Sequence, residues 1–393
     1  MVAPAKRPGT CAGRRAVSVS PRGRAVHEYL GMLKLGKLAV LRSAESIGIS
    51  RLLSATAWRR RRLLILCYHG ISKYDEHEWS GLYMASEKFR RRMELLAEFG
   101  CNVLPLTEAL QRLRENTLPE RAVAITFDDG FQDSYSVAAP ILESFGYPFT
   151  LYLTTYYVHF NRPVFDPMCS YLLWKGRRGK TLEWPTVLPH PAALDAPGRA
   201  RAMVAIQHFA SSNKLSGREK DDLLSELAGR LGVNYDELCE KRILHLVTYD
   251  EARELASRGV DLQYHTHRHR VCRTREGMFT ELEENRSHLM RISSNEPRHF
   301  CYAYGHHLPE HLAYLKQYGI LSATTCTPGL CSSQTDPLVL PRVVDTPAVS
   351  DLEFRSWLAG TAQFLPRRSI EVNPGEPAIE KPAPEPVPAV LNL

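Results

Sequence analysis

The chain has 393 residues, of which 44% are hydrophobic, and it carries a formal net charge of +7. This length and apolar content suffice for one large core with an insertion, since a single barrel domain takes about 250 residues. No apolar run approaches the roughly 18 residues of a transmembrane helix. No short apolar core followed by a small-residue cleavage site is evident, so we expect neither a membrane span nor a secretory signal.

The basic charge is concentrated in the first 62 residues. They hold fourteen Lys or Arg and two Glu, a local charge of +12, which leaves −5 for the remainder. Residues 1–24 are rich in Arg, Pro, Gly and Ser, and we expect them to be disordered. From Val26 to Trp58 apolar residues recur at helical spacing among basic ones, which predicts an amphipathic helix. Residues 26–62 would either contact an anionic membrane surface or pack on the outside of the folded domain.

A repeated unit occupies most of the remaining chain: an amphipathic helix, a Gly that ends it, and an apolar strand. Gly is favoured at that position because it adopts the left-handed conformation that stops a helix. Alternating helices and strands with right-handed connections favour a parallel sheet closed into a barrel. The predicted helix–strand pairs are 87–99 with 101–106, 134–145 with 149–153, a helix opening on a Thr248–Glu251 capping box with 260–264, and a helix ending at Gly319 with 320–325.

The nine cysteines are an odd number and include no CxxC pair. This pattern favours reduced thiols in a cytosol over a disulfide framework. The basic N-terminal segment shows no nucleic-acid recognition motif and no interleaved aromatics, so we expect no nucleic-acid partner beyond non-specific phosphate attraction at low salt. At the other end, residues 366–393 are loaded with Pro, Glu and Ala, a composition that predicts a flexible tail.

Two polar clusters follow predicted strands. Asp128 and Asp129 come directly after strand 122–127, and His265 and His269 follow strand 260–264. Matching ends of parallel strands are where barrel enzymes keep their sites. Two His and one carboxylate suit a metal ion with open positions for water and substrate, and the second carboxylate is then left for the water. Alternatively, the Asp-Asp-Gly triplet is an ordinary turn and the His residues are structural.

These clusters resemble motifs of a known family. The segment TFDDG at 126–130 resembles the first motif of the polysaccharide deacetylases (carbohydrate esterase family four), and HTHRH at 265–269 resembles the second. The segment CYAYG at 301–305 is similar to the third motif. Residues 66–69 and 340–342 are similar to the family's first and closing strands. The resemblance extends over roughly residues 63–360 and is weak in its middle third.

The resemblance implies a distorted barrel of seven or eight βα units and metal-dependent removal of acetyl groups from a sugar polymer. By motif match, Asp128 is the general base, and Asp129, His265 and His269 bind a divalent metal, commonly zinc. The ion would acidify water and polarise the acetyl carbonyl. The backbone amide of Tyr304 would help to stabilise the oxyanion.

The chain departs from the family pattern in two places. The third motif lacks the usual Arg and Pro, so another cation, or none, must orient Asp128. A late Leu-x-x-His motif, which normally supplies the general acid, is not evident near residues 338–345. His69, His306 and His307 are the candidates for that role.

The resulting prediction is an α/β protein with three regions: a basic extension at 1–62, a deacetylase-like barrel at 63–360 with a mainly helical insertion at about 156–245, and the tail at 366–393. Trp174 and Trp184 of the insertion either stack on sugar rings or belong to a packed subdomain core.

The predicted substrate is a polysaccharide or glycolipid precursor, handled in the bacterial cytoplasm or at the inner membrane surface. Two alternatives remain: a catalytically impaired protein that binds glycans or assists exopolysaccharide assembly, and a hydrolase of non-sugar amides.

Overall fold

The computed structural model describes residues 36–366. The predictions for residues 1–35 and 367–393, including disorder at the start and a flexible tail, lie outside the described residues. Within the described part, no helix is both long enough and apolar enough to span a lipid bilayer.

A parallel sheet of eight strands forms the centre of the fold, in the order β11-β10-β9-β6-β5-β1-β12, with β4 paired to β5. Its strands are β1 Leu64–Tyr68, β4 Asn102–Val103, β5 Ala122–Phe127, β6 Thr150–Leu153, β9 Asp261–Tyr264, β10 His299–Cys301, β11 Ser322–Thr324 and β12 Val343–Val344. The remaining strands form two small pairs, β2 Gly70–Ser72 with β3 Tyr83–Ala85, and β7 Thr181–Leu182 with β8 Ala192–Ala193.

The sheet curls until its two edges meet. Leu340 forms a parallel bridge to Thr324 of β11, and a few residues later Val343 of β12 pairs with Leu66 of β1. Every residue of β1 and β5 is buried, as expected for strands covered on both faces. The predicted distorted barrel is therefore confirmed.

Helices cover the outside of the sheet. They are α1 (residues 36–46), α2 Ile49–Ser54, α3 Ala57–Arg60, α4 Glu76–Trp79, α5 Ser86–Glu98, α6 Leu106–Glu115, α7 Ala139–Ser144, α8 Tyr156–Phe160, α9 Phe165–Lys175, α10 Ala196–Ser212, α11 Gly217–Leu231, α12 Tyr235–Glu240, α13 Tyr249–Ser257, α14 Arg275–Ile292, α15 Pro309–Tyr318 and α16 Asp351–Ala359.

The helix–strand repeat agrees with the sequence in its boundaries. The Thr248–Glu251 capping box opens α13 with both of its reciprocal hydrogen bonds. Gly259 and Gly319 follow α13 and α15 with φ of 91° and 94°, the left-handed conformation that ends a helix. Two elements differ. The strand predicted at 101–106 is only Asn102–Val103, because Leu106 already begins α6. A π-helical turn, Ser134–Ala138, precedes α7 where a continuous α-helix was predicted.

The insertion between β6 and β9 consists of α8 to α12 and the β7–β8 pair. Trp184 is 1% exposed and donates its indole N–H to Glu226. Trp174 stacks against Tyr171, and the guanidinium of Arg177 lies 3.7 Å from the centre of its ring. Trp184 thus belongs to a packed core, the second of the two alternatives, whereas Trp174 is half-buried and packs against that core.

The basic N-terminal segment is not one continuous helix. Its described part forms α1, α2 and α3, because Gly48 has a φ of 80° and Thr56 caps a new helix with its side chain. One side of this unit packs on the barrel: Leu41 is 1% exposed and the buried Arg59 donates its Nε–H to Leu358 O at 2.8 Å.

Candidate metal and catalytic site

The two polar clusters meet at the carboxyl ends of neighbouring strands. β5, β6 and β9 are adjacent in the sheet, so the loop after Phe127 and the loop after Tyr264 face each other. Asp129 O accepts a hydrogen bond from Thr154 N, and His267 O accepts from Thr155 N, which joins both loops to the end of β6. The sheet order thereby brings together side chains that are about 135 residues apart in the chain.

Asp129, His265 and His269 converge on one point. Asp129 Oδ1 lies 3.1 Å from His265 Nε2 and 3.3 Å from His269 Nε2. A tetrahedral zinc site with metal–ligand bonds of about 2.0–2.1 Å requires ligand atoms about 3.3 Å apart. Among the described residues, this trio is one of three groups whose ligand atoms are all mutually close. Its donor set and spacing fit a divalent metal ion.

The orientation of His265 is fixed by groups behind it. Its Nδ1 lies 2.9 Å from Cys301 O, to which it donates, so Nε2 is the ring nitrogen that faces Asp129. Its backbone N–H donates to Asn285 Oδ1 at 3.0 Å, and Asn285 in turn donates to Leu153 O. Carbonyl acceptors behind a His ligand fix its tautomer and ring orientation.

The ionisation of Asp129 and His269 suits metal binding. For His265, burial opposes protonation, but the neighbouring Cys301 and the hydrogen bond with Asp129 outweigh it and raise the pKa well above its usual range, so an ion must displace the Nε2 proton. Burial lowers the pKa of His269 to about 4, so its imidazole is neutral near pH 7 and has a free lone pair. For Asp129, burial opposes ionisation, but His269 and the hydrogen bond with His265 outweigh it and lower the pKa to about 2. The Asp129 carboxylate is thus anionic and the His269 imidazole neutral, which are the forms that coordinate metals.

Strained backbone accompanies these side chains. Asp129, Thr266, His269 and Tyr304 have φ values of 71°, 61°, 54° and 59°. Each such non-glycine residue costs on the order of 1–3 kcal/mol, and such residues concentrate at functional sites. In Gly130, whose φ is 90°, a Cβ would lie 2.1 Å from a Leu153 methyl, so this position also requires glycine.

Asp128 is held by a buried arginine that the sequence motifs did not reveal. The guanidinium of Arg342 donates two parallel hydrogen bonds of 2.7 Å, one to each carboxylate oxygen. Arg342 itself is 0% exposed and also donates to Thr325 O at 3.0 Å. Bidentate pairs of this kind fix geometry as well as charge. Arg342 therefore fills the role of the cation missing from the third motif.

The charge of Asp128 follows from this pairing. Burial alone would raise the pKa of its carboxyl, but the adjacent Arg342 guanidinium and its hydrogen bonds hold the pKa well below the usual range. Asp128 is therefore a permanently ionised carboxylate beside the metal trio, in the state needed to accept a proton.

Of the three candidate acids, His69 lies at the site. Its Nε2 is 3.9 Å from Asp128 Oδ2, and its side chain is 11% exposed. His306 and His307 are exposed on the loop before α15, and the ring of His307 packs on Tyr302. Its position in the sequence distinguishes His69 from the other two candidates. His69 directly follows β1, and β1 pairs along its whole length with β5, the strand that the Asp doublet follows.

Tyr304 lies at the rim of the site in a short 3₁₀ turn, Ala303–Gly305. Its ring is 44% exposed and its centre lies 4.5 Å from that of His269. The aromatic ring thus covers one side of a predicted metal ligand. The part of its backbone amide in catalysis stays a prediction.

Two comparisons of sequence point to one family. Residues 231–323, which include the His pair and the third motif but not the Asp doublet, match the model of the polysaccharide deacetylase family. Over 93 residues the chain is 34% identical to YxkH of Bacillus subtilis, a protein with a proposed polysaccharide deacetylase function. That match covers 23% of this chain and 32% of the relative, about a third of its length.

The fold has known counterparts. A de-N-acetylase from Aggregatibacter actinomycetemcomitans superposes with a TM-score of 0.50 at 15% identity, over 75% of this chain and 99% of that chain. The deacetylase PplD of Streptococcus pyogenes, solved in complex with acetate, gives a TM-score of 0.49 at 18% identity, over 74% and 96% of the two chains. Residues 231–323 therefore resemble the polysaccharide deacetylase family in sequence, and the barrel shares its fold with a solved de-N-acetylase.

Proposed function

We propose that this protein is a metal-dependent hydrolase that removes acetyl groups from a polysaccharide or glycan precursor. One observation carries the proposal: Asp129, His265 and His269 converge within coordination spacing, next to an ionised carboxylate that is not part of the trio. A site that only bound metal would not need the second, separately oriented carboxylate. The match of residues 231–323 to the polysaccharide deacetylase family model supports the substrate class.

Asp129, His265 and His269 would hold the ion. Two imidazoles and one carboxylate are a donor set that suits zinc, and three protein ligands leave positions open. When bound, a divalent ion supplies Lewis acidity: it lowers the pKa of water and polarises the acetyl carbonyl.

Asp128 would act as general base. Arg342 engages both of its oxygens from one side, and this fixes the carboxylate plane. Oδ1 keeps a further lone pair, while Oδ2 also accepts weak hydrogen bonds from the thiols of Cys67 and Cys301, at 3.4 and 3.3 Å. Asp128 therefore accepts the proton of the attacking water without having to reorient. The strong pairing with Arg342 also keeps the carboxylate charged between turnovers.

His69 would donate a proton to the leaving amine or alcohol. Its Nε2 lies 3.9 Å from Asp128 Oδ2, and it is not part of the trio of Asp129, His265 and His269. As the acetyl carbon becomes tetrahedral, the developing oxyanion would be stabilised by the backbone amide of Tyr304. The aromatic ring of Tyr304 would border the sugar that enters the site.

Metal removal tests the proposal. We expect purified protein to release acetate from acetylated oligosaccharides, to lose most of this activity after chelation, and to recover it when zinc is added back. Acetate release measured across a panel of N- and O-acetylated glycans provides the check. A protein that binds metal but releases no acetate from any glycan in the panel would favour a glycan-binding role, and activity on small amides alone would favour the non-sugar alternative.

We also propose that the protein works in the cytoplasm at the inner membrane surface, through residues 26–62. Eight free cysteines in the described part support a reducing compartment. Four of the eleven large hydrophobic side chains exposed in residues 36–366 lie between Val40 and Leu52, and Arg42 and Arg51 are exposed among them. Apolar side chains interspersed with cations are typical of helices that lie on anionic membranes.

Vesicle binding tests this location. We expect cosedimentation with vesicles containing anionic lipid and weaker binding to neutral ones, because each Lys or Arg near an anionic surface contributes about 1 kcal/mol. Ile47→Glu with Leu52→Glu should abolish binding. Val204→Glu, at a side chain 65% exposed on α10, is the matched control and should leave binding unchanged. Equal loss in both variants would contradict the assignment of this surface.

A further inference from the structure

A second set of metal-binding side chains lies beside the first, at the end of β1. Cys67 and His69 are two residues apart, so both side chains leave the strand on the same side. Cys67 Sγ lies 3.4 Å from Asp128 Oδ2, and His69 Nε2 lies 3.9 Å from the same oxygen. The ligand atoms of these three residues are all within 4.8 Å of one another. They share no residue with the trio of Asp129, His265 and His269.

The chemistry of this set differs from that of the trio. A thiol, an imidazole and a carboxylate together favour zinc and softer ions such as cadmium, because thiolate sulfur is a soft ligand. His69 Nδ1 is buried and has no hydrogen-bond partner among the described residues, so no protein group holds the ring in its present orientation. His69 is therefore able to turn towards an ion.

Arg342 does not prevent an ion from binding to Asp128. A carboxylate has about four lone-pair positions on its two oxygens, and Arg342 uses one on each. The remaining position of Oδ2 accepts only weak hydrogen bonds from the thiols of Cys67 and Cys301, and the Cys67 bond is lost when that thiol binds the ion. The positive guanidinium also offsets negative charge: a divalent ion with the thiolate, the carboxylate and the guanidinium gives a net charge near +1. Burial raises the pKa of the Cys67 thiol, so binding requires that the ion displace the thiol proton, which leaves to solvent.

We propose that Cys67, His69 and Asp128 form a second metal site, which takes a thiophilic divalent ion such as cadmium or zinc in excess, and that its occupation inhibits the enzyme. The ion would occupy the Asp128 lone pair that otherwise accepts a proton, and would engage His69 as well. The inhibitory consequence rests on the proposed function, whereas the binding itself does not.

Cadmium binding to the Asp129→Ala variant tests the site separately from catalysis. This substitution weakens the trio and leaves Cys67, His69 and Asp128 in place. We expect one equivalent of Cd²⁺ to bind, with the ultraviolet charge-transfer absorption of a thiolate–cadmium bond. Absence of that absorption at saturating cadmium would overturn the proposal, and would leave the acetate-release test of the proposed function unaffected.

Two further variants of the Asp129→Ala protein identify which thiol binds cadmium. Cys67→Ser should abolish the absorption, and His69→Ala should weaken cadmium binding while the thiolate signal persists. Cys326→Ser is the matched control, since Cys326 is a buried thiol packed against Cys67 but belongs to none of the described three-ligand groups. An absorption that survives in Cys67→Ser, or disappears in Cys326→Ser, would show that another thiol binds the ion. Circular dichroism confirms that each variant is folded.

Activity provides the final measurement. In protein with intact Asp129, acetate release should rise as zinc fills the trio and fall again at higher zinc. The ratio of activity at high zinc to activity at optimal zinc should approach one in Cys67→Ser. Unchanged inhibition in that variant would refute an inhibitory role for the site.

Discussion

Replacing Asp128 with Asn is expected to lower turnover by about two to four orders of magnitude while metal binding is retained. The amide keeps the size of the carboxylate but does not accept a proton at neutral pH, and loss of a general base costs about 10²–10⁴-fold. Asp128 is outside the trio of Asp129, His265 and His269, so the metal content should stay near that of the wild type. The measurements are kcat for acetate release and metal stoichiometry on the same preparation.

Asp129→Ala provides the contrast. The Asp129 carboxylate lies 3.1 Å from His265 Nε2 and 3.3 Å from His269 Nε2, so its removal should abolish zinc binding by the trio, and with it activity. If Asp128→Asn instead lost its metal, or if Asp129→Ala kept both metal and activity, the assignment of base and ligand would be wrong.

Much of the fold could be predicted because local signals repeat along the chain. Strand β5 was predicted at 122–127 and observed at Ala122–Phe127, since its apolar, β-branched residues are bounded by polar ones. The glycines after the helices marked where each strand follows. The N-terminal segment was predicted less well: apolar periodicity continues through Gly48, and only the three-dimensional structure shows that the helix ends there.

The convergence of Asp129, His265 and His269 could be predicted because they follow β5 and β9, which only β6 separates, at the same edge of the sheet. The partner of Asp128 could not. Arg342 lies 214 residues from Asp128, just before β12, and its role depends on β12 pairing with β1 to close the barrel. Residues 340–342 were predicted to form the closing strand of the barrel. Whether the Arg342 guanidinium points into the barrel depends on how β12 is aligned along β1, and the sequence does not show this alignment. Conversely, the sequence left open whether the tryptophans of the insertion stack on sugar rings. Trp184 is buried in a core, so it is not available for such stacking.

Arg342→Met is expected to destabilise the protein by about 3–5 kcal/mol, because it leaves the buried Asp128 carboxylate without its counter-charge. Both side chains are almost fully buried, at 0% and 3% exposure, so water replaces little of the lost interaction. Denaturant unfolding measures the change. The double variant Asp128→Asn with Arg342→Met should be more stable than Arg342→Met alone, since no uncompensated charge then remains buried. Equal stability of the two would mean that the ion pair contributes nothing.

Arg342→Lys separates positioning from charge. Lysine keeps the positive charge but lacks the planar fork that donates to both oxygens of Asp128. If Arg342 orients the base, this variant should fold and bind metal, and its kcat should fall while KM changes little, because the Arg342 side chain is fully buried and offers no surface to a substrate. A kcat equal to that of the wild type would show that the charge alone suffices. A KM that rises with unchanged kcat would instead indicate that Arg342 shapes the substrate site.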